Sequence, residues 1–241
     1  MPDPIFEEPR LAEVYDDLDA DRSDLDVYLS VAQELGARSV VDIGCGTGTF
    51  ACLLATNGFE VVGVDPAGAM LAVARRKVGA DLARWVHGVA ADLPAMQVDL
   101  ATMTGNVAQV FLEDHEWAET LEAAHRVLRP GGSLVFESRR PERKAWLEWN
   151  PVDSFERGEI EGIGVIETWD ELIAVSLPFV TFRGTILFHD DGTTLVSQST
   201  LRFRSYDEIA DSLAATGFHV DEVRGAPDRP GKEYVFLATR R

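Results

Sequence analysis

Residues Val40–Phe50 read VVDIGCGTGTF, a β-branched run that breaks into glycines at every second position. Val40 to Ile43 is predicted as a short buried strand and Thr47 to Thr56 as the helix after it, ended by Asn57 and Gly58. The loop between them can be cut two ways. Gly44, Gly46 and Gly48 form G-x-G-x-G, whereas GTGTFA from Gly46 fits G-x-G-x-x-G/A. On either cut the glycines admit a sharp turn and close approach to the backbone amides, and the helix start beyond them favours an anionic group.

Working outward, the same unit repeats. Strands are predicted at Glu60 to Val64, Trp85 to His87, Asp99 to Met103 and Ser133 to Glu137, and helices at Pro66 to Lys77 and Asp114 to Leu128. A further helix, Ser23 to Leu35, precedes the loop, with Leu25, Tyr28, Leu29, Ala32 and Leu35 on one face, Ser23 as cap and Gly36 as stop. Strands alternating with helices of this length predict an α/β fold, a Rossmann-like, doubly wound parallel sheet. Past residue 140 the period changes to two, and Ile163 to Arg204 reads as an antiparallel β insertion with a hairpin turn at Asp190, Asp191 and Gly192. The first pattern then resumes with a helix, Tyr206 to Ala215, capped by Ser205, and with strands around His219 to Val223 and Glu233 to Thr239. The chain is therefore expected to be a single domain over residues 1–241, with residues 144–204 inserted as a β subdomain or lid.

Composition excludes several classes. The 241 residues include 46% hydrophobic side chains, enough for a sizeable core without staples, and only two cysteines, Cys45 and Cys52, which rules out a disulfide framework. Forty-one acidic residues against 22 basic ones give a net charge of −19, which repels a phosphate backbone, so nucleic acid is not an expected partner. No apolar window approaches a membrane span and the MPDPIFEEPR start is no signal peptide, so a cytoplasmic location without membrane contact is expected. His87, His115, His125, His189 and His219 are scattered without ligand spacing, so no metal site is expected.

Asp65, in VVGVDPAGAM, falls about twenty residues beyond the loop, at the end of the second strand, where a carboxylate accepts the hydroxyls of an adenosine ribose. Both S-adenosylmethionine and a nicotinamide dinucleotide carry that ribose. Asp92, in HGVAADLP, lies one strand over at the same edge, either reading an adenine amino group or capping the turn before Leu93 and Pro94. The dinucleotide reading weakens independently. Hydride transfer to a carbonyl usually needs a proton donor, and none of Tyr15, Tyr28, Tyr206 or Tyr234 belongs to a Tyr-x-x-x-Lys pair.

Taken in order, VVDIGCGTGTF, GVDPAGAML, HGVAADLP, VDLATMTGNVAQVF and LRPGGSLVFES resemble the motifs of the class I S-adenosylmethionine-dependent methyltransferases over nearly the whole chain outside the insertion. The resemblance implies a seven-stranded sheet with an antiparallel last strand, S-adenosylmethionine as cofactor and S-adenosylhomocysteine as product. It further implies that Asp42 with Gly44, Gly46 and Gly48 holds the methionine part, that Asp65 holds the ribose, and that Met70, with Ala69, packs on the adenine. Ala91 and Asp92 would read the adenine edge, and Thr104, Gly105 and Asn106 would lie near the sulfonium.

The implied activity is methyl transfer to an N or O nucleophile of a small-molecule acceptor by in-line displacement. MTGN after the fourth strand replaces the Asn-Pro-Pro-Tyr expected of adenine or glutamine methyltransferases. The β insertion resembles the cover strands of small-molecule methyltransferases. Its aromatics, Trp146, Trp149, Phe155, Trp169, Phe179, Phe182 and Phe188, either wall an acceptor pocket or pack the insertion down, with a homodimer through the insertion as a further reading. Glu137, Arg139 and Arg140 follow the fifth strand at the ligand edge, as catalytic or anchoring groups or as a solvated loop, and Tyr15 either closes over the cofactor or belongs to a helix face. A non-catalytic nucleoside-binding protein that uses the insertion as a regulatory interface is the alternative.

Overall fold

The computed structural model describes residues 2–19 and 21–241. Its centre is strand β1 (Ser39–Ile43), whose Val40, Val41 and Ile43 are buried on alternate faces, as a strand covered on both sides requires. It pairs in parallel with β2 (Glu60–Asp65) on one side and β4 (Val98–Met103) on the other. Beyond them lie β3 (Ala83–His87), parallel to β2, and β5 (Leu128–Arg139), parallel to β4. The strand β11 (Glu233–Arg240) runs antiparallel to β5, and β10 (Phe218–Arg224) runs antiparallel to β11. The resulting order, β3-β2-β1-β4-β5-β11-β10, is the seven-stranded Rossmann-like sheet expected from the sequence. Strand order reverses between β1 and β4, and such a switch point opens a ligand crevice at the carboxyl ends of the strands.

Helices α3 (Asp24–Glu34) and α4 (Thr49–Thr56) cover one face, where Tyr28 meets Phe50 edge-on at 6.1 Å above Val40, Leu100 and Val135. Helices α6 (Asp114–Val127) and α7 (Tyr206–Ala215) cover the other, where Trp117, Leu121, Ile209 and Leu213 pack on Phe136 and Phe236. Ser205 caps α7 as expected, accepting from the Glu208 N–H, whereas the Ser23 side chain makes no cap bond to α3. On α3 it is Val31 that completes the buried face with Leu25, Tyr28 and Ala32, while Leu35 is exposed. Helix α4 starts two residues later than expected because Gly48, at φ 74°, is left-handed and stands outside the helix as its cap. Helix α5 spans only Gly68–Ala74, because Asp65 and Pro66 belong to the turn before it.

The insertion forms a sheet of its own, β6 (Glu156–Ile160), β7 (Gly164–Ser176), β8 (Phe179–Phe188) and β9 (Thr194–Arg202), paired antiparallel in chain order. The hairpin at Asp190 to Gly192 is present, with the Asp191 carboxylate accepting from Thr193 N–H at 2.9 Å. Strand β6 was not expected, since ERGEI is charged and largely exposed. Two short helices at the amino end, α1 (Pro4–Glu7) and α2 (Pro9–Val14), wedge between this sheet and the large one. Leu11 and Val14 pack with Ile166, Ile186 and Phe188, while Ala12 packs with Ala67 and Met70. At the far end Arg202 donates to Leu112 O at 2.8 Å, and buried Arg204 donates to Ala108 O at 3.2 Å and Phe111 O at 2.8 Å, tying the insertion to the segment after β4.

Candidate active site

The glycine loop leaves β1 and turns at once into α4. Gly44, Gly46 and Gly48 have φ of 71°, 53° and 74°, a region that disfavours any side chain. Their surroundings differ. A Cβ at Gly44 would fall 2.7 Å from Val107 and one at Gly48 2.5 Å from Trp85, whereas one at Gly46 would meet nothing within 4 Å. Gly44 and Gly48 thus allow the chain to pack against itself, and half-buried Gly46 is the glycine with open space where a side chain would stand. Just before the loop Asp42 is fully buried and accepts a 2.8 Å hydrogen bond from Thr102 Oγ1; burial pushes its carboxyl up to about 7. Burial also pushes the Cys45 thiol far up, which leaves it a packed side chain rather than a nucleophile.

At the end of β2, buried Asp65 reaches across to that loop. Its Oδ2 accepts from Gly46 N–H and its Oδ1 from Ala67 N–H, each at 2.8 Å. Burial raises its carboxyl, against the pull of those two donors. Met70, one turn into α5, is completely buried beneath Ala12 and Ala67, with Phe6, Tyr15 and Ala69 beside it. Ala91 and Asp92 are exposed on a short turn after β3, and Asp92 Oδ2 accepts from Val89 N–H at 2.9 Å, the capping bond anticipated for it. Thr104 is half-buried in the turn after β4, where a Cβ at Gly105 would again meet nothing within 4 Å.

That turn is held by a buried polar cluster. Glu137 Oε1, from the carboxyl end of β5, accepts from Gly105 N–H at 2.6 Å and Asn106 N–H at 3.1 Å. Asn106, left-handed at φ 61°, donates through Nδ2 to Glu233 Oε1 at 3.0 Å. Glu233 Oε1 also accepts from Arg229 Nη1 at 2.9 Å, and Arg139 donates to Gln109 Oε1 at 3.0 Å. Both carboxylates are 1% exposed. Burial and the neighbouring charge of Glu233 push the Glu137 carboxyl up to about 7, while burial lowers the Arg139 guanidinium. Tyr15, whose ring lies 5.9 Å from Phe6, contributes to the electrostatic surroundings of Arg139. Trp149 stands 5.8 Å from the Arg139 guanidinium and 4.7 Å from Phe182.

Glu137 and Arg139 thus sit at the end of β5 beside the turn after β4 rather than along a solvated loop, with Tyr15 in the electrostatic surroundings of Arg139; Arg140 instead donates to Glu233 O and faces the Tyr234 ring. Glu233, Arg229 and Gln109 were not anticipated. The signal for Glu233 was present: an antiparallel last strand must begin where its parallel neighbours end, and the register sets Glu233 beside Arg139. Of the aromatics of the insertion, Trp146 packs with Val180 and Phe203, Phe188 packs on α2, Phe155 is half exposed, and Trp149 reaches the polar cluster. Among the described residues no group of His, Cys, Asp and Glu side chains could hold a metal ion, and no helix is long and apolar enough to cross a membrane.

The fit to a nucleoside bearing an amino-acid tail rests on the open face of Gly46, the open Gly105 and the buried Asp65 carboxylate between the loop and α5. Known proteins agree. A family profile described as a methyltransferase domain matches residues 40–132. A protein of Geobacillus sp. strain WCH70 named as a methyltransferase is 31% identical over 217 residues, covering 85% of each chain. Another methyltransferase, from Synechocystis sp., is 32% identical over 119 residues; that match spans 49% of this chain and 54% of the relative, so the alignment reaches only about half of its length. The S-adenosylmethionine-bound structure of an amino pentose methyltransferase from Micromonospora echinaspora superposes with a TM-score of 0.72 at 22% identity, over 92% of this chain and 93% of that one. At that identity the likeness concerns the fold.

Proposed function

Because the chain belongs to the class I S-adenosylmethionine-dependent methyltransferases, we propose that it methylates an N or O nucleophile of a small molecule bound at the carboxyl edge of β4, β5 and β11. The observation that carries this reading is the pair of open backbone faces, Gly46 in the glycine loop and Gly105 in the turn that Glu137 holds, with Val107 of that turn packed against Gly44. When bound, S-adenosylmethionine supplies an electrophilic methyl group on a sulfonium. Asp42 and the glycine loop would hold its methionine part, Asp65 its ribose, Met70, Ala91 and Asp92 its adenine, and Thr104 would stand by the sulfonium.

The protein's own contribution is positional. An in-line displacement is accelerated chiefly by holding nucleophile and methyl at about 3 to 3.5 Å with water excluded. In this reading the α1–α2 strap and the inserted sheet exclude water, Trp149 with Phe182 walls the acceptor, and Arg139 and Glu137 orient it. Calorimetric titration with S-adenosylmethionine and S-adenosylhomocysteine tests the cofactor half, with saturable binding of both expected. A screen of small amines, alcohols and phenols for a methyl mass gain tests the other half, and transfer to none of them while protein or nucleic acid is methylated would overturn the acceptor class.

A further inference from the structure

We propose that Glu137 and Glu233, with Asn106, Gln109 and the Trp149 ring, form the acceptor subsite, that the acceptor is an amine, and that Glu137 takes the proton its nitrogen sheds. The proposal rests on the methyltransferase reading and narrows it.

Four side-chain atoms of this one cluster are buried without any hydrogen-bond partner: Asn106 Oδ1, Glu137 Oε2, Glu233 Oε2 and Gln109 Nε2. Their identities are fixed by the bonds made at their other ends. Asn106 donates through Nδ2 to Glu233 and Gln109 accepts through Oε1 from Arg139, so exchanging either amide would set donor against donor or acceptor against acceptor. Native structures leave few buried polar groups unpaired, and each one calls for an explanation such as a ligand. Here four occur together, beside the open backbone of Gly105.

The composition of that set selects the ligand. Three of the four are acceptors, and a bound group that complements them must donate. An ammonium offers three N–H donors and a hydroxyl one, while a carboxylate offers none and would meet two carboxylates of like charge. Ion pairing is unequal as well: Arg229 at 2.9 Å and Arg139 at 3.9 Å both face Glu233 Oε1, whereas Glu137 is held only by two backbone N–H groups. Glu233 is therefore the anchored carboxylate and Glu137 the one whose second oxygen is available for a proton. Its surroundings from every side are Glu233 and Arg229 across β11 and its preceding loop, Arg139 on its own strand, Asn106 and Gln109 after β4, and Tyr15 from the strap beside Arg139. The carboxyl raised to about 7 suits a base working near neutral pH.

The step balances. An ammonium first gives one proton to the Glu137 carboxylate. The freed nitrogen lone pair forms the N–C bond as the S–C bond breaks with its electrons to sulfur, leaving a neutral thioether and an N-methylammonium, and Glu137 returns its proton to solvent once product departs.

Full-length protein saturated with S-adenosylhomocysteine is titrated with cyclohexylamine, cyclohexanol and cyclohexanecarboxylate, probes that share a ring and differ in one group. The readout is the ¹³C carboxyl signals of Glu137 and Glu233, assigned from Glu137→Gln and Glu233→Gln. Cyclohexylamine is expected to move both signals with a Kd at least about tenfold below that of cyclohexanol, and the carboxylate to move neither. Glu137→Gln keeps an oxygen for the Gly105 and Asn106 N–H groups, so it is expected to bind S-adenosylhomocysteine like wild type. It should lose about a hundredfold or more of methyl transfer to amines, together with the inflection near neutral pH in the dependence of amine affinity on pH. Glu233→Gln should weaken cyclohexylamine binding about tenfold, an independent check should the Glu137 variant fold poorly. Equal binding of alcohol or carboxylate, or no movement of either signal by any probe, would overturn the amine assignment. Absence of S-adenosylhomocysteine binding to the wild-type protein is read beforehand and would overturn the methyltransferase reading instead.

Discussion

Asp65 is bonded to Gly46: its Oδ2 accepts the loop amide at 2.8 Å, while its Oδ1 accepts from Ala67. The carboxylate thus fixes the one loop glycine with open space before it, and if it also receives the ribose it serves the ligand twice. Asp65→Ala should weaken S-adenosylhomocysteine binding by about 1.5 to 3 kcal/mol, the range for hydrogen bonds to a charged group. Asp65→Asn should fall nearly as far, because its NH₂ must face one of two N–H donors. Calorimetry decides, and an affinity equal to wild type in either variant would show that the ribose sits elsewhere.

The three loop glycines should separate by measurement. Gly48→Ala places a methyl group 2.5 Å from the Trp85 ring and 2.9 Å from Ala74 at a left-handed φ, so the unliganded protein should lose on the order of 2 to 4 kcal/mol of stability. Gly46→Ala meets only the backbone penalty of about 1 to 2 kcal/mol, yet it points into the open space and should be the more damaging to cofactor affinity. Urea unfolding without ligand, set beside calorimetry with S-adenosylhomocysteine, resolves the two. Undiminished binding by Gly46→Ala would mean that nothing approaches the loop from that side.

Much of this architecture was legible because local pattern and tertiary environment agree. Val40 to Ile43 buries valine or isoleucine on both faces and lies mid-sheet, and Asp65 stands at a strand end where the chain has little freedom to place it elsewhere. Boundaries failed where backbone conformation overrides pattern, as at left-handed Gly48 before α4. Strand β6 escaped because its ERGEI side chains are mostly solvent-facing and pairing with β7 alone makes it a strand. Glu137 was named from its place after the fifth strand, but its partner Glu233 escaped for another reason. Glu137 and Glu233 are 96 positions apart, and only the antiparallel pairing of β11 with β5 brings them to one edge.

Asp42 provides a pH test whose sign follows from its burial. Its folded carboxyl lies near 7 against an ordinary 3.8, so between those values the native state holds a proton that the unfolded chain has released. Stability from this group is therefore full below about pH 4 and declines as pH rises toward about 7. Glu137, raised from 4.5 to about 7, adds a decline of the same sign. Asp42→Asn keeps an acceptor for Thr102 and mimics the protonated form. It should remove on the order of 2 to 4 kcal/mol of the fall in unfolding free energy between about pH 5 and pH 8. An unchanged slope in urea titrations at the two pH values would mean that Asp42 is ionised when folded without cost.

The amino-terminal strap is fastened at both ends, which makes its role measurable. Asp16 Oδ1 accepts from Thr47 Oγ1 at 2.6 Å and Thr49 Oγ1 at 3.1 Å, and Oδ2 pairs with Lys77 at 2.5 Å, so the strap is tied to the start of α4. Arg10 ties it to the insertion through Asp191 at 2.8 Å and lies 3.8 Å over the Phe188 ring, with Leu11 buried between the two sheets. Asp16→Ala should cost about 1 to 2 kcal/mol, since its charged bonds are partly solvated, and should release one end of the strap. Leu11→Ala should cost about 2 to 4 kcal/mol by leaving a cavity. Arg10 and Arg22 give trypsin a cutting site on either side of Asp16, so strap opening can be timed by cleavage there. Asp16→Ala should be cut several-fold faster than wild type, and saturating S-adenosylhomocysteine should slow wild-type cleavage by more than its general stabilisation slows cleavage elsewhere in the chain. Protection spread evenly over all sites would leave the strap as scaffold, with the cofactor stabilising the whole fold and no closure at this end.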